Sequence, residues 1–209
     1  WLKPLLAGEI RSAYVMTEPE VASSDATNIA TTIIADGDDY VINGRKWWIS
    51  GVMDPRCKVY ILFGRTPNDG PRHRQHSQII IPADTPGIEI KRNVGWGSDR
   101  VPTHGYLEFH DVRVPADHML GPQGGAFVVA QVRLGGGRIH HAMRTIGQAR
   151  RALDMMCERA LSRFTQGELL AKMQMVQEKI ADSWIELEQF RLLVLRTAWL
   201  CDRHNDYKL

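Results

Sequence analysis

The stretch Tyr14-Val15-Met16-Thr17-Glu18-Pro19-Glu20-Val21-Ala22-Ser23-Ser24-Asp25 reads as a strand followed by a hydroxyl-rich loop. Small residues let backbone N–H groups approach a ligand, and hydroxyls donate to carbonyl or phosphate oxygens. A plain turn after a strand has the same composition and, on spacing alone, is the commoner outcome. Lys46-Trp47-Trp48-Ile49-Ser50 reads as the end of a hairpin's second strand. Adjacent Trp side chains on a strand point to opposite faces, so one fills a core while the other faces a pocket. A Trp face beside a Ser hydroxyl suits a flat heteroaromatic ligand with polar edges, and a Trp packed under a sheet fits the pattern equally well. Leu134-Gly135-Gly136-Gly137-Arg138 falls where a long helix should be continuous. Each glycine costs roughly 1 kcal/mol in a helix interior. Either the helix breaks here, or a ligand or neighbouring backbone comes very close. Arg138 beside the glycines would suit a phosphate or carbonyl.

Other candidates are weaker. Between Ala126 and Phe164 stand seven arginines (133, 138, 144, 150, 151, 159 and 163) against two acids, Asp154 and Glu158. An anionic partner or a solvated helix face explains such a run. His140 and His141 are adjacent and do not share a helix face, and His73 and His76 sit in a polar loop without acidic or Cys companions, so no metal site is expected. Glu18, Glu20 and Asp25 do not have the spacing of an acid/base pair. Cys57, Cys157 and Cys201 form neither a disulfide framework nor a zinc spacing, which favours a reducing compartment. The 209 residues carry 26 Lys+Arg against 24 Asp+Glu, a net +2, which argues against a nucleic-acid binder. Hydrophobic content of 44% with 24% charged residues is that of a folded chain. No apolar run reaches the roughly 18 residues of a membrane span. Trp1–Ile10 lacks a signal-peptide layout, so secretion is not expected.

Two kinds of element must position these residues. Up to about Pro115 the chain reads as six or seven strands. Ile29–Ala35 precedes a turn at Asp36-Gly37-Asp38-Asp39, and Tyr40-Val41-Ile42 leads into Asn43-Gly44, a strong hairpin signal, before Arg45–Ser50. Val59–Phe63, Gln78–Ile81, Ile88–Lys91 and Tyr106–Val114 follow. The spacing predicts a barrel or sandwich. After Gly121-Pro122-Gln123-Gly124-Gly125 apolar residues recur in steps of three and four, from Ile139 through Ile146 and Leu153 to Ala160. A second such stripe starts at about Leu169 and runs through Ile180, Leu187 and Val194 to Cys201, where no clear cap follows. A turn at Thr165–Glu168 joins the two into an antiparallel hairpin. One hairpin cannot bury both apolar stripes, so further helices or another subunit must pack against it. With no initiator Met and an uncapped last helix, the chain reads as a piece of a larger protein.

Taken together, these segments resemble the acyl-CoA dehydrogenase family. Tyr14–Asp25 is similar to that family's Thr-Glu-Pro…Ser-Asp signature, and Tyr40–Ser50 to its Asn-Gly…Trp-Ile-Ser segment. Asp84-Thr85-Pro86-Gly87-Ile88, Asp111-Val112-Arg113-Val114-Pro115 and Arg163-Phe164-Thr165-Gln166-Gly167 also match, in the family order. The resemblance implies an α+β chain in which residues 1–12 end an N-terminal helical domain. A middle β domain (barrel or sandwich) would span 13–118, and 119–209 would be the first part of a C-terminal helical bundle, with roughly half of the subunit outside the chain.

The resemblance also implies chemistry: FAD-dependent α,β-dehydrogenation of an acyl-CoA thioester, a carboxylate removing the α-proton while the β-hydride goes to flavin N5. Tyr14, Met16, Thr17, Ser23 and Ser24 would hold FAD, together with Trp48, Ile49 and Ser50. Trp48 would lie on the isoalloxazine and Ser50 near N5. Ser24, Gly135, Gly136, Gly137 and Arg138 would meet the acyl-CoA substrate. Arg163 and Thr165 would reach the FAD of a neighbouring subunit, which implies a homodimer or homotetramer. An electron-transferring flavoprotein or a similar acceptor would take the electrons. The compartment would be cytoplasmic in a bacterium, mitochondrial or peroxisomal in a eukaryote.

Three departures are notable. The signature loop is one residue longer than the common form, and with Gly-Arg-Ile-His-His at 137–141 it resembles the branch containing animal members fused to a phosphotransferase-like domain. The aromatic that usually follows Thr165 is Gln166. Gly137 stands where some members carry the catalytic carboxylate, so no base is named here and one is expected outside the chain. An oxygen-using flavin enzyme of the same fold (an acyl-CoA oxidase or monooxygenase) and a non-catalytic member are the alternatives.

Overall fold

The computed structural model describes residues 1–95 and 102–205. The chain forms two compact units, Trp1–Ala130 and Gln131–Leu209.

In the first unit a short helix, α1 (Leu2–Leu6), precedes β1 (Arg11–Val15), β2 (Thr32–Asp36), β3 (Asp39–Ser50), β4 (Cys57–Arg65), β5 (His76–Pro82), β6 (Ile88–Asn93) and β7 (His104–Pro115). They form one seven-stranded sheet in the order β1-β4-β2-β3-β7-β6, with β5 paired to β4. β4 takes β5 along one edge; its other edge is shared between β1, along residues 57–62, and β2, at Thr32↔Arg65. One strand serving three neighbours makes the sheet branch. Its inner face buries Val15, Ile33, Ile42, Leu62, Ile79 and Phe109. At about 1.5–3 kcal/mol per buried side chain of this kind, that face is the main source of the unit's stability.

Two details differ from the sequence reading. β2 starts at Thr32 rather than Ile29. Asp25 caps a 3-10 turn at Ala26–Asn28 by accepting from the Thr27 N–H at 3.0 Å, and Ile29 closes that turn inside a small core with Phe63 and Ala126. Asn43-Gly44 is not a hairpin: the hairpin is made by Gly37-Asp38 between β2 and β3, and β3 runs straight through Asn43 and Gly44. The pair serves a bulge against β7 instead. The Asn43 amide and Asp111 exchange hydrogen bonds of 2.9 and 2.8 Å, with Asp111 in the left-handed region at φ 48°. Gly44 is required by close approach, since a Cβ there would collide with Thr31.

The second unit is a helical hairpin, most of it contributed by α2 (Ala126–Ser162) and α3 (Gln174–His204). Between them, β8 (Phe164–Thr165) and β9 (Glu168–Leu169) close on Gln166 and Gly167, both at positive φ, as the tight right-twisted turn requires. α3 begins five residues later than the apolar pattern suggested, because a 3-10 turn at Leu170–Lys172 and the extended Met173 come first. The uncapped end read from the sequence is corrected as well: Asn205 stops α3 in the left-handed conformation, the usual cap after glycine. The remaining tail, 206–209, lies outside the described residues. α2 is unbroken through Gly135, Gly136 and Gly137, so the helix-break alternative is not realised.

The two helices bury Ile146 and Leu153 of α2 against Leu187 and Val194 of α3. Trp184, Leu193 and Trp199 of α3 remain exposed, as expected of a single hairpin that cannot cover both stripes.

Candidate functional site

β1 carries the chain into the loop at 16–18, and β3 fixes that loop from beneath. Lys46 is fully buried. An ammonium has three donors, and all three are used here: Met16 O at 2.7 Å, Phe63 O at 2.8 Å and Glu18 Oε1 at 2.9 Å. Glu18 in turn accepts from Thr31 N–H and Ala30 N–H, each at 2.8 Å. One buried ion pair thus ties the signature loop to β3, β4 and the lead-in to β2. Burial pushes the Lys46 ammonium down to about 8, against the pull of Glu18. Burial alone would raise the Glu18 carboxyl, but the Lys46 charge and the hydrogen bonds at Thr31 and Ala30 bring it below its ordinary 4.5.

The sign of the pH effect follows. A carboxylate depressed in the folded state contributes stability above its unfolded value, and that contribution is lost as pH falls through the folded one. Urea unfolding should therefore show the intact protein weakening below pH 4.5, with a shallower acid dependence in Glu18→Gln. Equal acid slopes would show that Glu18 is not the group involved.

Next to Lys46, Trp47 N–H donates to Thr17 O at 3.0 Å. A second bulge then falls between Lys46 and Ile49, and Trp48 sits at φ 54°. Strict alternation would send Lys46 and Trp48 inward together. The bulge inserts one residue, so Ile49 enters the core and Trp48 is turned outward, 38% exposed. A bulky residue in the left-handed region costs of order 1–3 kcal/mol and points to a functional constraint. The Trp48 ring stands edge-on to Trp47 at 6.2 Å and to His104 at 5.8 Å. His104 is also the cross-strand partner of Ser50.

The predicted residues of the first unit thus fall into two groups. Thr17, Ser24, Trp48 and Ser50 present polar or aromatic groups outward, and the hydroxyls of Thr17, Ser24 and Ser50 have no hydrogen-bond partner among the described residues. Ser23 is spent on its own loop, its hydroxyl accepting from Glu18 N–H at 2.9 Å. The Met16 side chain packs toward the small core of Ile29, Phe63 and Ala126 while its carbonyl is taken by Lys46, and the Ile49 side chain lies in the main core, so neither turns its side chain outward. Tyr14 is half-buried on β1. Sequence reasoning missed Lys46, Glu18 and His104. The available signal for Lys46 was slight: it shares the parity of Ile42 on β3, but Arg45 beside it makes the pair look like ordinary surface charges.

In the second unit Arg138 is exposed and donates to Gln131 Oε1 at 2.9 Å. The position a Cβ would take at Gly137 is open space. Arg163 and Thr165 lie at the far end of α2, Arg163 accepting from Leu170 N–H at 2.9 Å. At 1.5 Å per residue, Arg138 and Arg163 are about 38 Å apart along the helix, so they cannot hold one compact group together. Glu89, Glu108 and His110 are the one trio near enough to share a cation among the described residues, but Lys91 already sits on Glu89 at 2.9 Å and Glu108 at 3.6 Å. No helix among the described residues is long and apolar enough to cross a membrane.

Residues 13–112 match the acyl-CoA dehydrogenase middle-domain profile and residues 124–208 the acyl-CoA dehydrogenase C-terminal-domain profile. The chain belongs to the acyl-CoA dehydrogenase family. Acyl-CoA dehydrogenase family member 11 of Gallus gallus is 49% identical over the whole of this chain, which spans 27% of that protein. Thus the animal branch expected from the loop and the Gly-Arg-Ile-His-His segment is among the relatives. A solved Mycobacterium abscessus protein assigned as an acyl-CoA dehydrogenase is 50% identical, with a TM-score of 0.90, over 97% of this chain and 50% of its own. PigA, solved with FAD and proline, is 25% identical with a TM-score of 0.87, over 99% of this chain and 53% of its own. The chain spans between about a fifth and about half the length of the curated relatives it matches.

Proposed function

We propose that the chain contributes the flavin face and part of the thioester site of an FAD-dependent acyl-CoA dehydrogenase. The observation that carries this reading is Trp48, turned outward at a strained φ, next in sequence to Trp47, whose N–H bonds Thr17 O, and against His104, the cross-strand partner of Ser50. An exposed indole on a strand that also carries an outward Ser hydroxyl fits a flat ring with nitrogen and oxygen acceptors along its edge. FAD supplies, when bound, a two-electron acceptor. The chain's own residues do the rest. Trp48 covers one face of the ring and excludes water there. Thr17 and Ser50 donate where negative charge builds during transfer, and fixed donors in a dry site stabilise that charge without reorganising. Gly137 cannot act as a base, so the α-proton is removed by a carboxylate outside these residues. Arg163 and Thr165 serve the FAD of a neighbouring subunit, and a flavoprotein of the electron-transferring kind takes the electrons.

Reconstitution tests this. The intact protein should bind one FAD per subunit and show bound-flavin absorbance. A folded protein that takes up no FAD would overturn the reading.

Gly137→Ala provides a further test. The helix is regular there and the Cβ would meet nothing within 4 Å, so the change should raise stability by up to about 1 kcal/mol. If the bare backbone admits the thioester, the added methyl should weaken acyl-CoA binding at the same time. A thermal melt and an acyl-CoA titration on this variant check both. Greater stability with unchanged acyl-CoA affinity would remove Gly137 from the substrate site.

A further inference from the structure

The peptide linking Met16 and Thr17 is loaded on one side only. Its carbonyl accepts from the Lys46 ammonium at 2.7 Å, inside a pocket with no solvent contact at Lys46. Its N–H, on Thr17, has no hydrogen-bond partner among the described residues. The next peptide is saturated: Thr17 O accepts from Trp47 N–H at 3.0 Å, and Glu18 N–H donates to Ser23 Oγ at 2.9 Å. A cation on an amide oxygen draws electron density from the nitrogen and strengthens the N–H as a donor, and low surrounding polarity amplifies the effect. The free N–H is carried by the residue whose backbone is pinned to Trp47, beside the outward Trp48.

We propose that Lys46 is a positioning and polarising residue for the flavin edge: through the Met16 carbonyl it holds the Thr17 N–H in place and strengthens it as a donor to the ring. This rests on the flavin reading above. Glu18 has the matching task. It keeps the ammonium charged and aims it, and its bonds to Ala30 N–H and Thr31 N–H lock the pair against the sheet. The role differs from fold stabilisation alone. A donor aimed at the ring favours the reduced flavin, which carries more negative charge, over the oxidised one. Removing the polarising cation should therefore weaken binding of reduced flavin more than of oxidised flavin and lower the reduction potential.

The experiment compares three forms of the intact, FAD-loaded protein: wild type, Glu18→Gln, and the double variant Lys46→Met/Glu18→Gln. The double variant leaves no unpaired buried charge, which protects folding. Potentials are measured by dye-coupled reduction well below pH 8, where Lys46 carries its proton. The expected result is a fall in potential between the wild type, in which Glu18 keeps Lys46 charged, and the double variant. It should correspond to about a tenfold change in the ratio of reduced to oxidised flavin affinity, or about 30 mV for a two-electron couple. A common potential in all three forms, with FAD bound in each, overturns this proposal and leaves the flavin reading intact. Absence of FAD from the wild-type protein overturns both.

Discussion

Lys46→Met alone should lower the unfolding free energy of the intact protein by about 3–5 kcal/mol, the usual cost of stranding one member of a buried ion pair. Four losses coincide: Glu18 keeps its charge without its cation, and the carbonyls of Met16 and Phe63 and one lobe of the Glu18 carboxylate each lose a donor. Methionine matches the length of the lysine stem, so packing is a minor part of the effect. Lys46→Met/Glu18→Gln should recover much of the loss, since a neutral pair removes the stranded charge while the Gln amide oxygen can still accept from Ala30 or Thr31. Denaturant titrations of both variants check this. A single-variant loss below about 1 kcal/mol would place Lys46 among ordinary surface pairs, against its complete burial.

Arg163→Ala should weaken FAD retention about tenfold to a hundredfold without disturbing assembly. The guanidinium is exposed and has no ion pair among the described residues, although the turn that carries it is stiff: β8 pairs with β9, and Leu170 N–H returns to Arg163 O. A rigidly presented, unspent guanidinium suits the FAD pyrophosphate, and losing one charge-assisted bond costs about 1.5–3 kcal/mol. It lies about 38 Å from Arg138 along α2, too far for the two to hold one compact group. Flavin titration with parallel sedimentation measures both quantities. Unchanged FAD affinity in an intact oligomer would reject the role.

How far the fold was legible varied with the locality of its cause. The strand and helix periods, the Gly37 turn and the Gln166-Gly167 turn follow from neighbouring residues, and the structure has all of them. Asn43-Gly44 misled because the same pair satisfies a bulge: what decides is Asp111 on β7, sixty-eight residues away, which claims the Asn43 amide. Trp48 presents the same difficulty. Alternation from Lys46 would place it inward, and only the extra residue before Ile49 reverses it. The ligand-facing side of the loop was legible as small residues and hydroxyls. Its foundation was not, because Lys46 and Glu18 are twenty-eight residues apart and each alone looks like a surface charge. Ser23 looked like a ligand donor by composition, yet its hydroxyl closes its own turn.

Anaerobic titration of the FAD-loaded intact protein with saturated acyl-CoA thioesters tests the assigned chemistry most directly. Bleaching of the oxidised flavin band, with the corresponding 2-enoyl-CoA formed in equal amount, is the predicted result. A tightly bound flavin that stays oxidised with straight-chain and branched thioesters alike, short and long, would contradict it.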